Sequence, residues 1–271
     1  MCSLKSNEPG AGIVLMSLDE LHSFEGHPFK VERNQELFEL RNSIEKEGVL
    51  VPLLVRKNPH GNDYEIISGH RRKEAARWAG LTEVPAIIRE LDDDQSVIAM
   101  VDSNLQREKI LPSEKAFAYR MKLEAQKHQG KRTDLTSAQL GQKLENKTAR
   151  EKVSDDVGES REQVRRYIRL TELIPKLLEL VDNERIAFSP AVELSYLKED
   201  EQYIILNIYE YDEATPTLSQ AQYLKKLSQE GRLTTEKIEE IMKEPKPNQK
   251  EHIRFSAERI NKVLPKYIKT E

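Results

Sequence analysis

The periodicity of this chain changes once, at Leu91-Asp92-Asp93-Asp94, and that change limits what it can fold into. Before it, short apolar runs alternate with helical patterns. After it, the pattern is helical almost to the end. "QELFELRNSIEKE" (35–47) puts Leu37, Leu40 and Ile44 at helical spacing, and Gly48 follows as a stop. "VPLLVRK" and "DYEIIS" read as two short strands separated by the turn-rich "NPHGN". A helix from about Gly69 to Ala79 keeps Ala75, Ala76 and Ala79 on its inner side and stops at Gly80, and "VPAIIRE" is a third strand. Strands and helices alternating over so short a span predict a compact α/β domain at residues 13–91, behind a loose flexible tail at 1–12.

Helical segments follow in "QSVIAMVDSNLQ" and in "PSEKAFAYRMKLEAQKHQG", the latter with Pro112 near its start and Gly130 beyond its end. A polar stretch, "KRTDLTSAQLGQKLENK", leads to "TAREKVSDDVGESREQVRRYIRLTELIP". Further helices occupy "PKLLELVD", "SPAVELSYL" and "EDEQYIILNIYEY". Residues 92–212 therefore read as an all-helical domain. Residues 213–271 read as a small helical region, with "EPKPNQKEH" as a linker before a short basic tail. The expected fold class is α+β.

Composition removes several alternatives. The 271 residues are 33% charged and 37% hydrophobic, polar but not disordered-like. One cysteine, Cys2, excludes a disulfide framework and a cysteine-based metal site. No apolar run approaches about 18 residues, so no membrane-spanning helix is expected. The first residues lack a signal-peptide layout, and a cytoplasmic protein is expected. The six histidines show no HExxH spacing, and neither a GxxxxGK[ST] loop nor a GxSxG elbow occurs. Ordinary hydrolase chemistry has little support. A net charge of −4 does not speak against nucleic acid, since a footprint depends on where charge sits.

Three patches carry chemistry. Ser68-Gly69-His70-Arg71-Arg72 lies between a strand and a helix, and its arginines oppose the positive end of the helix dipole. Either they bind a phosphate there, with Gly69 allowing close backbone approach, or they face solvent with Arg71 bonding Glu74. In "VDSNLQREK", Asn104, Gln106 and Arg107 offer a polar site and Asp102 a metal neighbour. The simpler account is a helix C-terminus with Arg107 and Lys109 suited to its dipole. The third patch is more specific. A short helix ends near Val157-Gly158, Ser160 caps a second helix, and Gln163 stands where it completes a capping box. Val164 and Ile168 face inward, while Arg161, Arg165, Arg166 and Arg169 face outward. The layout reads as a helix-turn-helix, and four arginines in ten residues of an otherwise acidic chain favour it over an ordinary helical hairpin with a solvated basic face. Ser160 lies at its turn; Arg161, Gln163 and Arg165 are placed for base edges and Arg166 and Arg169 for phosphates.

Together the patches resemble the ParB partition-protein family over about residues 13–200. "ISGHRRKEAARWAGLTEVPAII" is similar to its G-E-R-R box followed by A-G-hydrophobic-x-x-V-P, and "SNLQRE" to its E-N-x-Q-R-E box. The helix-turn-helix matches around Gly158, Ser160, Val164, Arg169-Leu170 and Pro175. The resemblance implies a ParB/sulfiredoxin-like N-terminal domain followed by the helical DNA-binding domain. It implies a homodimer on a palindromic double-stranded DNA site, gated as a clamp by CTP with Mg²⁺, associated with nucleoid or plasmid and served by a ParA-type ATPase. Carried over by position, Ser68, Gly69, His70, Arg71 and Arg72 would lie at the phosphates. Asn104 would lie near triphosphate and metal, with Gln106 and Arg107 completing the second box.

Three positions depart from the pattern. His70 and Ser103 stand where the boxes keep glutamates, and His27-Pro28-Phe29, with Lys30 beside it, stands for an upstream Q-P-R element. Two missing carboxylates weigh against metal-assisted CTP hydrolysis. They leave open a transcriptional or copy-number regulator of a mobile element without the nucleotide switch. A nucleotide-dependent enzyme of the sulfiredoxin or serine-kinase-like branch is a further alternative, but such an enzyme has no use for a major-groove reader.

Overall fold

The structure, a computed structural model, describes residues 12–24, 26–107, 109–137 and 148–243. The expected tail up to Ala11, residues 138–147 of the polar stretch, and the expected linker and basic tail after Lys243 lie outside the described residues.

The N-terminal part is a five-stranded mixed sheet. Three strands coincide with the sequence expectation: β3 (Leu53–Lys57), β4 (Tyr64–Ser68) and β5 (Glu83–Ile88). Two others, β1 (Ile13–Ser17) and β2 (Leu21–Ser23), have no counterpart in it. The order is β1-β5-β3-β4-β2, so both unforeseen strands are edges. β1 runs antiparallel to β5 and leaves Ile13, Val14 and Leu15 exposed, without the in–out alternation that marks a half-buried strand. β2 is three residues long and joins β4 in parallel. Helices α1 (Gln35–Glu47) and α2 (His70–Trp78) cover the sheet, and Leu37, Ile44, Leu53, Val55, Ile66, Ala75 and Ala76 form its core.

The helical part begins with α3 (Asp93–Leu105), opened by a capping box between Asp92 and Gln95. Next comes α4, Pro112–Ser137, which does not stop before Gly130 as expected but runs past it. A lone glycine costs a helix about 1 kcal/mol, which strong helix formers on both sides can offset. α5 (Ala149–Val157) and α6 (Arg161–Arg169) follow, then α7 (Pro175–Asp182), α8 (Phe188–Leu194) and α9 (Glu199–Asp212). After Pro216, α10 (Leu218–Gln229) and α11 (Thr235–Lys243) pack Leu224, Leu227, Ile238 and Ile241 into one core with Leu177, Leu194 and Ile205. No helix among the described residues is long and apolar enough to cross a membrane.

Candidate functional site

Two separate places gather the residues singled out in the sequence. The first is the turn from β4 into α2. Gly69 has φ 113 and ψ 18, and a Cβ there would stand 2.8 Å from Leu53 Cγ, so conformation and packing both demand glycine. The cations of the first turn are already bonded within the protein. Arg71 bonds Glu36 Oε2 of α1 at 3.0 Å rather than Glu74, which instead pairs with Arg33. Arg72 donates to the carbonyls of Val51 (2.7 Å) and Pro52 (2.6 Å), and burial pushes its pKa down. Lys73 donates to the Leu21 carbonyl.

His70 is buried, and its ring lies 3.9 Å from that of His27, tilted 47°. His27 Nδ1 donates to the Phe29 carbonyl at 2.9 Å, which leaves the lone pair on its Nε2; among the described residues no hydrogen-bond partner meets either ring's Nε2. Burial, followed by the charges of His27, Lys73 and Arg107, pulls His70 down to about 3. Burial likewise lowers His27. Two residues flagged separately in the sequence thus form one uncharged aromatic pair where the family pattern is polar.

Arg71 and Arg107 line a cleft of about 900 Å³ between the α1 approach, the α3–α4 connection and the end of α7. Lys30, Lys109 and Lys115 complete its cations. Among its carboxylates, Glu114 accepts from the Lys30 and Leu111 amides, and Asp182 accepts from Ser113. Arg107 stacks over Phe29 at 5.5 Å, and burial lowers its pKa, so a cation is held there at a cost that a bound anion would relieve. Ser68, Arg72, Asn104 and Gln106 do not line this cleft. Asn104 is buried and donates to the Met100 carbonyl at 2.8 Å, while Gln106 is exposed at the α3 C-cap. Asp102, beside Ser103, is paired through Oδ1 with Lys122 at 2.5 Å. No group of three or more metal-ligating side chains occurs among the described residues, and Asn104 is turned to the Met100 carbonyl.

The second place is the α5–α6 pair. Thr148 caps α5 with a full capping box to Glu151, and Gly158 turns the chain at φ 69. Ser160 Oγ accepts from the Gln163 amide at 3.1 Å, but the return bond from the Gln163 side chain does not form among the described residues. Val164 is fully buried with Val153, Tyr119 and Leu123, and Ile168 packs on that cluster. The four arginines then divide. Arg161 and Arg165 are exposed, paired with Glu151 (2.6 Å) and Glu162 (2.8 Å). With Lys127 and Arg150 they line an open cleft of about 620 Å³ into which α5 and α6 both present their N-termini. Arg166 instead donates to Ser189 Oγ (2.7 Å) over the Phe188 ring. Arg169 donates to the Ser195 carbonyl (2.6 Å) over Tyr196. Arg150 and Lys127 were not singled out in the sequence; only the folded pair places them beside α6.

A mixed-sheet domain with a glycine-opened basic turn, followed by a helix-turn-helix with basic side chains at both helix starts, defines a class of two-part DNA-binding proteins. The family model for the ParB N-terminal domain matches residues 4–105, and that for the ParB HTH domain matches residues 132–211. The chain belongs to the ParB family. Its relatives include the chromosome-partitioning protein Spo0J of Thermus thermophilus, 34% identical over 71% of this chain and 63% of that protein. Among solved structures it is similar to a C-terminally truncated ParB from Caulobacter crescentus complexed to the centromeric parS site. That likeness is 24% identity over 79% of this chain and 98% of the other, with a TM-score of 0.45. The same truncated ParB complexed with CTP-gamma-S is 27% identical over 73% and 98%, with a TM-score of 0.34. The chain spans about half to under two thirds of the length of the curated relatives it matches.

Proposed function

We propose that this chain is a site-specific DNA-binding protein of ParB type, acting in plasmid or chromosome partition as a CTP-responsive clamp. The observation that carries this reading is the α5–α6 pair. Arg161, Gln163 and Arg165 stand at the start of a capped helix, and Arg150 and Lys127 flank it as a phosphate-binding rim. The exposed pairs Arg161–Glu151 and Arg165–Glu162 are screened by water, so opening them for DNA costs little. The partner is a palindromic double-stranded site bound by a homodimer, associated with nucleoid or plasmid and served by a ParA-type ATPase; the chromosome-partitioning role in the Spo0J relative's name supports the partition part of this reading.

The cleft beside α2 is assigned to the nucleotide's phosphates, with Arg71, Arg107 and Lys30 as the cations that meet them. CTP rather than another nucleotide follows from the similarity of both boxes to the family's. His70 and Ser103 supply no carboxylate and Asp102 is tied to Lys122, so hydrolysis through a protein-held Mg²⁺ is not part of the proposal. The same facts favour one second reading, a transcriptional or copy-number regulator that reads DNA without nucleotide.

One set of titrations separates these. Arg165→Ala weakens binding to the cognate site by about 1–3 kcal/mol if Arg165 reads a base, measured by fluorescence anisotropy; unchanged affinity would displace the reading helix from α6. Fluorescent CTP binds the wild type and fails to bind Arg71→Ala. Operator binding with no CTP signal establishes the regulator instead.

A further inference from the structure

Lys122, in the middle of α4, is completely buried, and its ammonium bridges two helices that belong to different sites. One partner is Asp102 Oδ1 of α3, at 2.5 Å, on the helix that ends beside Arg107 and the anion cleft. The other is Asp156 Oδ2 of α5, at 2.9 Å, two residues before the Gly158 turn into α6. Gln126, one helical turn further along α4, donates to the same Asp156 oxygen at 3.0 Å. Leu105 of α3 packs beside them on the Tyr119, Leu123, Val153 and Val164 cluster that seats α6.

This arrangement is a poor way to gain stability. Taking an ammonium fully out of water costs about as much as two carboxylates return, and a well-packed apolar side chain of similar volume usually serves as well. What the ion triad adds is registry. Apolar contacts tolerate sliding, whereas a buried ammonium that loses one of its two carboxylates is left under-compensated. A displacement of α3 by even one helical turn, about 5.4 Å, would strip Asp102 from Lys122. α3 and α5 are therefore held to one relative position by a group that answers to both.

We propose that Lys122 is a positioning residue that couples the cleft at the end of α3 to the DNA-reading pair α5–α6. Displacement of α3 is felt at Asp156, and through it at the start of α6, without contact between Lys122 and either ligand. The proposal rests on reading the cleft as a nucleotide site, and its test is arranged so that the two can fail separately. The full chain and Lys122→Met are compared for fluorescent CTP binding and for affinity to the cognate DNA, with and without saturating CTP.

The expected result is that Lys122→Met binds CTP and DNA each within about twofold of the wild type. The ratio of its DNA affinities with and without CTP falls to one, whereas the wild-type ratio differs from one. A variant that keeps the wild-type ratio overturns the coupling, as does a wild type that binds CTP with a ratio of one. A wild type that binds no CTP refutes the cleft reading, and the coupling is then decided without ligand by hydrogen exchange. Asp102→Asn, a near-isosteric change at a half-exposed side chain of α3 that also serves if Lys122→Met does not fold, speeds amide exchange in α5 severalfold. Unchanged exchange there overturns the proposal.

Discussion

At the start of α2 the charges are arranged against the helix dipole, and each is met from outside the helix. Arg71 has Glu36, Arg72 has two carbonyls ahead of β3, and Lys73 has the Leu21 carbonyl. None of these partners lies on α2, so no spacing rule within the stretch could have found them. His70 shows the same limit. Its departure from the family box is legible in one residue, but its neutrality comes from burial and from His27 in another segment. That neutrality has a measurable consequence. In the unfolded chain His70 takes a proton near 6.5, in the folded chain not until about 3, so between these values the unfolded state holds more protons. Stability from this group is fully present above pH 6.5 and is lost as pH falls, by roughly 2 kcal/mol between pH 6.5 and 5. His27, lowered as well, adds in the same direction. Urea unfolding at a series of pH values should therefore give a flatter profile for His70→Gln than for the wild type. Equal slopes would mean that His70 is protonated in the folded protein.

Among the elements, α6 is where sequence and structure divide most sharply. The 3.6-residue period places Val164 and Ile168 inward, and the structure agrees. The same period cannot tell an arginine that meets solvent from one that meets α8. Arg166 and Arg169, read from the sequence as phosphate contacts, are held by Ser189 and Ser195 and lie over Phe188 and Tyr196. In this arrangement they tie α6 to α8 and its C-cap. Arg169→Ala should then lower the melting temperature and leave the salt dependence of DNA binding unchanged. Arg161→Ala should reduce the slope of log affinity against log salt by about one. A drop of about one for Arg169→Ala would return it to the phosphates. Strands divide in a similar way. β3, β4 and β5 carry buried residues and turn signals, whereas β1 and β2 are edges whose membership depends on pairing with β5 and β4.

Across the whole molecule, α4 is the shared spine. Ala116 belongs to the core of α7–α11, Ala118 to the cluster under the sheet with Ile67 and Met100, and Tyr119 and Leu123 to the cluster that seats α6. Sheet and helical parts should therefore unfold together. Trp78, the single tryptophan, reports the sheet side, and far-UV circular dichroism reports mainly the helices. The two denaturation curves are expected to coincide, and separated midpoints would show that α4 does not bind the parts into one cooperative unit. By itself the sequence determined the α+β order, nearly every helix, three strands, the glycine-opened turn and the capped helix-turn-helix. Those depend on neighbours in the chain: period, caps, and residues that tolerate positive φ. The tertiary structure decided which arginines remain exposed, that His27 and His70 share one contact, and that Lys122 bridges Asp102 of α3 and Asp156 of α5. Each of these depends on the partner that packing brings to a side chain, and burial sets the cost of leaving that side chain without one.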